Sequence, residues 1–175
     1  MTVLERFGEI KARMAKAARE AARDDGGAEL VAVTKTFGAE DILPVLEAGH
    51  RVFGENRVQE AEGKWPGLRD RFAGIELHLI GPLQSNKAAD AVALFDVIET
   101  VDREKIARAL KSEMDKQGRA VRLYVQVNTG LEPQKAGIAP DETANFVVFC
   151  RDNLGLSVEG LMCIPPADEN PGPHF

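Results

Sequence analysis

Leu30-Val31-Ala32-Val33-Thr34-Lys35 is an apolar run that ends in a lysine, and five comparable runs follow it along the chain. Short runs rich in β-branched residues, bounded by stretches of 3.6-residue periodicity, are typical of buried strands that alternate with helices. This alternation produces right-handed βαβ units and a parallel sheet, either open and doubly wound or closed as a (β/α)8 barrel. The sequence therefore predicts six parallel strands, at residues 30–34, 51–53, 75–80, 95–100, 121–128 and 156–164.

The turn after the first strand helps to separate the two architectures. Thr34-Lys35-Thr36-Phe37-Gly38 stands where a dinucleotide-binding sheet would carry G-x-G-x-x-G, which disfavours that class of open sheet. Two more units of similar length would close a barrel at about 230 residues, within the usual range for this architecture. We expect an α/β fold, a parallel (β/α)8 TIM-type barrel with about six of its eight strands in this chain. We interpret residues 1–175 as a single domain that lacks its C-terminal part.

A helix is predicted ahead of the first strand. Thr2-Val3-Leu4-Glu5 has the capping-box pattern of a helix start, and apolar residues recur at helical spacing after it. Two glycines in Asp24-Asp25-Gly26-Gly27 predict that the helix ends there.

Composition excludes several classes of function. The net charge is −6, with lysines and arginines scattered among acidic residues, so nucleic acid is not an expected partner. No apolar run approaches the roughly 20 residues that span a bilayer, and the N-terminus lacks signal-peptide order, so we expect a cytoplasmic protein that does not bind membranes. The cysteines and the three histidines lack metal-ligand spacing, and no metal site is expected.

Polar residues follow directly after the predicted strands. They are Lys35 after the first, 54–56 after the second, 81–87 after the third, and 128–129 after the fifth. In a parallel barrel all of these positions lie at the carboxyl-terminal face, where ligand sites are built. The sequence therefore predicts a ligand site at this face.

Lys35 is the candidate nucleophile of this site. A lysine at a strand end is commonly a solvated charge, but alternation along the strand places Val31, Val33 and Lys35 on the same side, toward the barrel interior. An amine that is partly removed from water is more often uncharged, and an uncharged amine can attack an aldehyde.

Asn56 and His78 each have a structural and a functional interpretation. In the segment after the second strand, Glu55 or Asn56 could cap the next helix, or Asn56 could point its amide at a ligand ring. His78 lies within the third predicted strand, where a lone histidine is more often packed and hydrogen-bonded than catalytic. No catalytic residue is assigned from the sequence.

Four motifs in order resemble those of the pyridoxal phosphate homeostasis protein family, also called the proline synthase co-transcribed or YggS-like family. The resemblance extends from the first helix to Phe175, with further matches at 127–129, Lys135 and Gly137. The motifs are Val31-Ala32-Val33-Thr34-Lys35, the segment 53–60 (FGENRVQE), the segment 78–87 (HLIGPLQSNK) and Gly160-Leu161-Met162-Cys163-Ile164-Pro165.

The resemblance implies a barrel similar to the N-terminal domain of alanine racemase, with pyridoxal 5′-phosphate held as a Schiff base on Lys35. It implies Asn56 beside the cofactor ring and Met162 near its floor, and we expect Val33 and His78 among the cofactor-binding residues. The implied role is intracellular cofactor homeostasis and amino-acid balance, by a monomer, with cofactor-receiving enzymes as possible partners. Relatives continue beyond the position of Phe175 into a phosphate-holding segment and a strand with an arginine, so we expect a polypeptide that ended at Phe175 to bind cofactor poorly.

Two other functions remain open at this point. One is a pyridoxal phosphate-dependent enzyme of the alanine racemase or decarboxylase type, in which Lys35 also moves protons. The other is a Schiff-base aldolase, in which Lys35 attacks a substrate carbonyl without a cofactor. An enzyme of the first kind needs a second acid or base opposite the lysine, and the single tyrosine, Tyr124, lies inside the fifth predicted strand.

Overall fold

The computed structural model describes residues 1–23 and 27–175. Six strands form one parallel sheet in sequence order, and at least one helix connects each pair of neighbouring strands. The six predicted strands and the parallel α/β architecture are confirmed. The strands are β1 (Ala32–Val33), β2 (Val52–Glu55), β3 (Glu76–Leu79), β4 (Val97–Val101), β5 (Arg122–Val127) and β6 (Val158–Cys163); the helices are α1 (Val3–Glu20), α2 (Ala39–Glu47), α3 (Val58–Glu62), α4 (Trp65–Arg71), α5 (Ala88–Leu94), α6 (Glu104–Gln117) and α7 (Thr143–Val148), which continues as a π-helical turn at Phe149–Asn153.

The two faces of the sheet have different surroundings because successive side chains of a strand point to opposite sides. Phe53 pairs in register with Leu77 and both are fully buried in the core. The Phe53 ring packs on Trp65 of α4, with ring centroids 4.9 Å apart. This face of the sheet therefore packs against the helices, and the next residues along, Gly54 and His78, belong to the opposite, inner face.

The inner face is concave. Asn56, just after β2, and Ile164, just after β6, line the same cavity of about 160 Å³. In a flat sheet these strands, four positions apart, would be separated by about 19 Å. Within residues 1–23 and 27–175, β1 and β6 do not pair with each other, so the sheet forms a barrel-like wall that is open between them.

Helix α1 begins as predicted and ends earlier than predicted. The Thr2 hydroxyl accepts the Glu5 N–H and the Glu5 carboxylate accepts the Thr2 N–H, as in a capping box. The helix ends at Glu20, and Ala22 adopts a left-handed φ of 50°, so the chain leaves the helix before the predicted glycines. Three residues of the predicted end, Asp24-Asp25-Gly26, lie outside the described residues. None of the helices described is both long and apolar enough to cross a membrane.

Candidate functional site

The carboxyl ends of the strands meet around the cavity of about 160 Å³, as parallel strands require. Its walls come from the ends of four different strands, β2, β3, β5 and β6, together with the loop that follows β5. Residues separated by more than 100 positions in the sequence thus share one site at the predicted face. The lining residues are Asn56, Ile80, Gly81, Pro82, Gln126, Val127, Asn128, Lys135, Ala136 and Ile164.

Lys35 lies in a tight turn at the end of β1. The Phe37 N–H donates to the Thr34 carbonyl at 3.2 Å, which closes a turn with Lys35 and Thr36 at its centre. Thr36 has φ of 68°, an uncommon conformation for a β-branched residue. Val33 pairs with Gly54, so Lys35 and Asn56 each lie two residues beyond a paired position, at the same edge of the sheet.

Other lysines near this edge have engaged amines. Lys87 pairs with Asp90 at 3.1 Å, whereas the Lys135 amine donates to the Pro165 carbonyl at 3.1 Å. The expectation that the Lys35 amine is partly removed from water is not met, because Lys35 is exposed at the open edge of the sheet. Its amine has no hydrogen bond or ion pair within the two described ranges. Lys35 is therefore the lysine here whose amine is available to a ligand without breaking another contact.

Asn56 lies in the cavity wall, and its backbone is fixed by contact with Gly81. A Cβ atom on Gly81 would lie 2.2 Å from the Asn56 carbonyl oxygen and 2.7 Å from its Cα. Only glycine allows the ends of β2 and β3 to approach so closely. The interpretation of Glu55 or Asn56 as a helix cap is wrong, because the N-cap of α3 is Arg57 and it makes no side-chain capping bond.

Gln126 is a polar residue of the cavity that the sequence did not single out. It is buried, its amide nitrogen donates to the Ala136 carbonyl at 3.2 Å, and its Oε1 has no partner among the residues described. The carbonyl partner fixes which end of the amide is nitrogen. Gln126 thus presents a buried acceptor at the cavity, and buried polar atoms without partners are rare enough to require an explanation.

Val33 and Met162 occupy the inner face as alternation predicts. Val33 is opposite Gly54, and it is exposed because β1 is an edge of the sheet. Met162 is opposite Gln126 and is half-buried. Both residues face the same interior as the cavity.

His78 lies deeper in the interior, clamped between two carboxylates. Its Nδ1 is 2.5 Å from Glu99 Oε1, its Nε2 is 2.8 Å from Glu76 Oε1, and Glu76 also pairs with Arg122 at 2.6 Å. Burial lowers the pKa of His78, but the hydrogen bonds to Glu99 and Glu76 outweigh burial and raise it above its ordinary value. Since both ring nitrogens are bonded to carboxylates, His78 supports the floor of the site and is not free to bond to a ligand.

Asn128 and Lys135 shape the loop after β5. The Asn128 amide donates to the Glu132 carbonyl at 2.9 Å and its Oδ1 accepts the Glu132 N–H at 3.1 Å. Lys135 pairs with Glu132 at 2.5 Å. The two residues also line a larger, more open cavity of about 680 Å³ between this loop and the start of α6. Asn128 and Lys135 therefore lie at the predicted ligand face, but part of their hydrogen bonding holds the loop itself together.

The site can accept a small aromatic ligand with polar substituents. Asn56 lies in the wall of the cavity and Gln126 contributes an unpartnered buried acceptor. Lys35 does not line the cavity; it follows β1 at the same carboxyl-terminal edge of the sheet. Pyridoxal 5′-phosphate fits this set, since its aldehyde can react with an amine and its ring carries groups that hydrogen-bond to amides. Within residues 1–23 and 27–175, no group of three or more histidine, cysteine, aspartate or glutamate side chains has an arrangement that could hold a metal ion.

The chain matches known proteins along most of its length. Residues 7–175 match the family described as alanine racemase, N-terminal domain. Proteins named pyridoxal phosphate homeostasis protein from Pasteurella multocida and Pseudomonas aeruginosa are 35% and 36% identical to it. These matches cover 97% and 99% of this chain and 73% and 75% of the relatives.

Solved structures agree with these sequence matches. PipY of Synechococcus elongatus, solved with PLP bound, has a TM-score of 0.76 at 34% identity, over 92% of this chain and 74% of that protein. Alanine racemase of Clostridium difficile has a TM-score of 0.63 at 14% identity, over 94% of this chain and 42% of that one. The second similarity concerns the fold alone.

Proposed function

The chain belongs to the pyridoxal phosphate homeostasis protein family, within the wider family of alanine racemase N-terminal domains, and we propose that it binds pyridoxal 5′-phosphate through Lys35. The cofactor would supply an aldehyde, and the Lys35 amine would hold it by condensation with loss of one water. Residues 1–175 act in this proposal as one cofactor-binding domain.

One observation carries the proposal: Lys35, whose amine is available, lies at the same carboxyl-terminal edge of the sheet as the cavity of Asn56 and Gln126. A protein that shares 34% of its sequence with this chain has been solved with PLP bound, which supports the same ligand class here. Asn56 would orient the cofactor ring, Met162 and Val33 would pack on it, and Gln126 would accept a hydrogen bond from it. His78 would lie below the cofactor ring and would act on it indirectly, through the network of charged side chains to which it belongs.

We assign the protein to cofactor homeostasis rather than to catalysis. A racemase needs a second acid or base beside the ring. Among the described residues, His78 has both nitrogens bonded to carboxylates, and the Tyr124 ring packs on Gly160, two residues deeper in the strand than Gln126. Lys35 would therefore hold the cofactor and release it to cofactor-receiving enzymes. The protein would act as a cytoplasmic monomer without nucleic-acid or membrane partners.

Replacement of the proposed anchor tests the function. The native protein and Lys35→Ala are loaded with pyridoxal 5′-phosphate, reduced with borohydride and measured by intact mass. We expect one stable cofactor adduct in the native protein and none in Lys35→Ala, because the substitution removes the amine that would attack the aldehyde.

Lys87→Ala is the matched control, because Lys87 lies at the same end of the sheet and its amine is engaged by Asp90. It should carry the same adduct as the native protein. Retention of the adduct by Lys35→Ala would identify another anchor, and peptide mapping would then distinguish Lys87 from Lys135.

A further inference from the structure

A buried lysine supports the turn that carries Lys35. The Lys64 amine, on a side chain only 8% exposed, donates to the carbonyl oxygens of Thr34 at 2.8 Å and of Phe37 at 2.9 Å. These are the first and last residues of the turn. A single amine thus joins both ends of the four-residue segment in which Lys35 is second.

A buried carboxylate holds the Lys64 amine in this position. Glu55, fully buried at the end of β2, has its Oε1 2.8 Å from the amine. The same oxygen accepts hydrogen bonds from the Thr34 hydroxyl at 2.5 Å and from Trp65 Nε1 at 3.0 Å. Since Glu55 pairs with the lysine and also bonds to the turn itself, it fixes the two relative to each other.

The turn needs this support because its backbone is strained. Thr36 has a positive φ of 68°, which is unfavourable for a β-branched side chain. Its N–H donates to the carboxylate of Glu60, and Glu60 is also 3.3 Å from the Lys64 amine. Strained residues persist only where their surroundings hold them in place, and such residues concentrate at functional sites.

We propose that Lys64 and Glu55 are positioning residues that hold the Thr34–Phe37 turn so that the Lys35 amine is presented to the cofactor aldehyde. Lys64 does not touch the cofactor in this proposal; it acts through the carbonyls of Thr34 and Phe37. The inference rests on the proposed function of Lys35 as the anchor. It explains why a charged pair is buried beneath a site to which it contributes no ligand atom.

Lys64→Met tests the proposal, since it keeps the length of the side chain and removes the amine. Without cofactor, hydrogen exchange of the amides in residues 34–38 should be about tenfold faster in folded Lys64→Met than in the unsubstituted protein, while exchange in the β4 and β5 segments stays the same. On addition of pyridoxal 5′-phosphate, the rate of borohydride-stable labelling should fall between about tenfold and about a hundredfold. The affinity for pyridoxine 5′-phosphate, which lacks the aldehyde, should not change.

Two further variants control for misfolding and for the general effect of removing a charged side chain. Lys64→Met combined with Glu55→Gln leaves no unpaired buried charge and should show the same slow labelling. Lys111→Met removes another ion-paired lysine, on the outer helix α6, and should behave as the native protein.

The outcomes separate this inference from the function on which it rests. Native exchange and labelling rates in Lys64→Met, with label absent from Lys35→Ala, overturn the inference alone. Faster exchange throughout the molecule together with lost pyridoxine 5′-phosphate affinity, in both Lys64 variants, also overturns it, because Lys64 would then support the whole fold. A label that survives in Lys35→Ala overturns both proposals.

Discussion

Glu99→Gln should destabilise the protein in a manner that depends on pH, because it removes one of the two carboxylates that raise the pKa of His78. The His78 side chain is 8% exposed and that of Glu99 is 17% exposed, so solvent screens this pair weakly. A hydrogen bond between charged groups contributes about 1.5–3 kcal/mol to stability, and one between uncharged groups about 1 kcal/mol. We expect a loss of about 2 kcal/mol while the ring is charged, falling to about 1 kcal/mol when it is neutral.

The direction of the pH dependence follows from the two shifted groups. The pKa of His78 is raised above its ordinary 6.5, so its contribution to stability is complete below pH 6.5 and is lost as the pH rises through the folded value. The pKa of Glu76 is lowered because the hydrogen bonds from Arg122 and His78 outweigh its desolvation. Its contribution is therefore complete above the ordinary value of 4.5 and is lost as the pH falls further. The network stabilises the fold most between these two limits.

Urea unfolding at pH 6 and at pH 9.5 measures the effect. Trp65 is the only tryptophan and is fully buried, so its fluorescence reports unfolding directly. Glu104→Gln is the matched control, since its side chain is 61% exposed and pairs with Arg108 on the surface of α6. The control should lose less than about 0.5 kcal/mol at both pH values. Equal losses for Glu99→Gln at the two pH values, or none at either, would refute a charged His78.

Two other predictions concern the mouth of the site. Gly81→Ala should weaken cofactor retention about tenfold or more in equilibrium dialysis, because the new methyl group would lie 2.2 Å from the Asn56 backbone and push it out of the cavity wall. The control is Gly67→Ala, where a Cβ atom meets nothing within 4 Å. Native retention in Gly81→Ala would contradict this prediction. When the cofactor-loaded protein is incubated with L-alanine, D-alanine should form far more slowly than about 1 per second, because both nitrogens of His78 are bonded to carboxylates. Chiral chromatography measures the D-alanine. Turnover at metabolic rates would favour the racemase-type function.

The order of the elements could be predicted from the sequence because periodicity is a local property of the chain. The run that ends at Lys35 and the five runs after it became six parallel strands in sequence order. The boundaries were less accurate: β1 pairs over two residues where five were predicted, and α1 ends at Glu20. The short β1 is an edge strand whose pairing with β2 covers only Ala32 and Val33. At the end of α1 a positive φ at Ala22 turns the chain, a conformation that alanine does not favour.

The position of residues at the ends of strands could be predicted from the sequence. The hydrogen-bond and ion-pair partners of buried side chains could not. Lys35 and Asn56 lie at one edge because parallel strands place their carboxyl ends together. Gln126 could have been found by alternation along β5, which places it on the inner face opposite Met162. For Lys64, the sequence offered only one indication of a partner, its spacing of four residues from Glu60.

The sequence by itself determined the class of fold and the edge of the sheet at which the polar strand-end residues meet, and it led to the proposal that Lys35 reacts with an aldehyde. Only the tertiary structure decided which buried charges meet: Glu55 with Lys64, and His78 with Glu76 and Glu99. The physical reason is that hydrophobic periodicity is written in neighbouring residues, whereas an ion pair depends on the register between strands and on the packing of helices over them. Those distances exist only once the chain has folded.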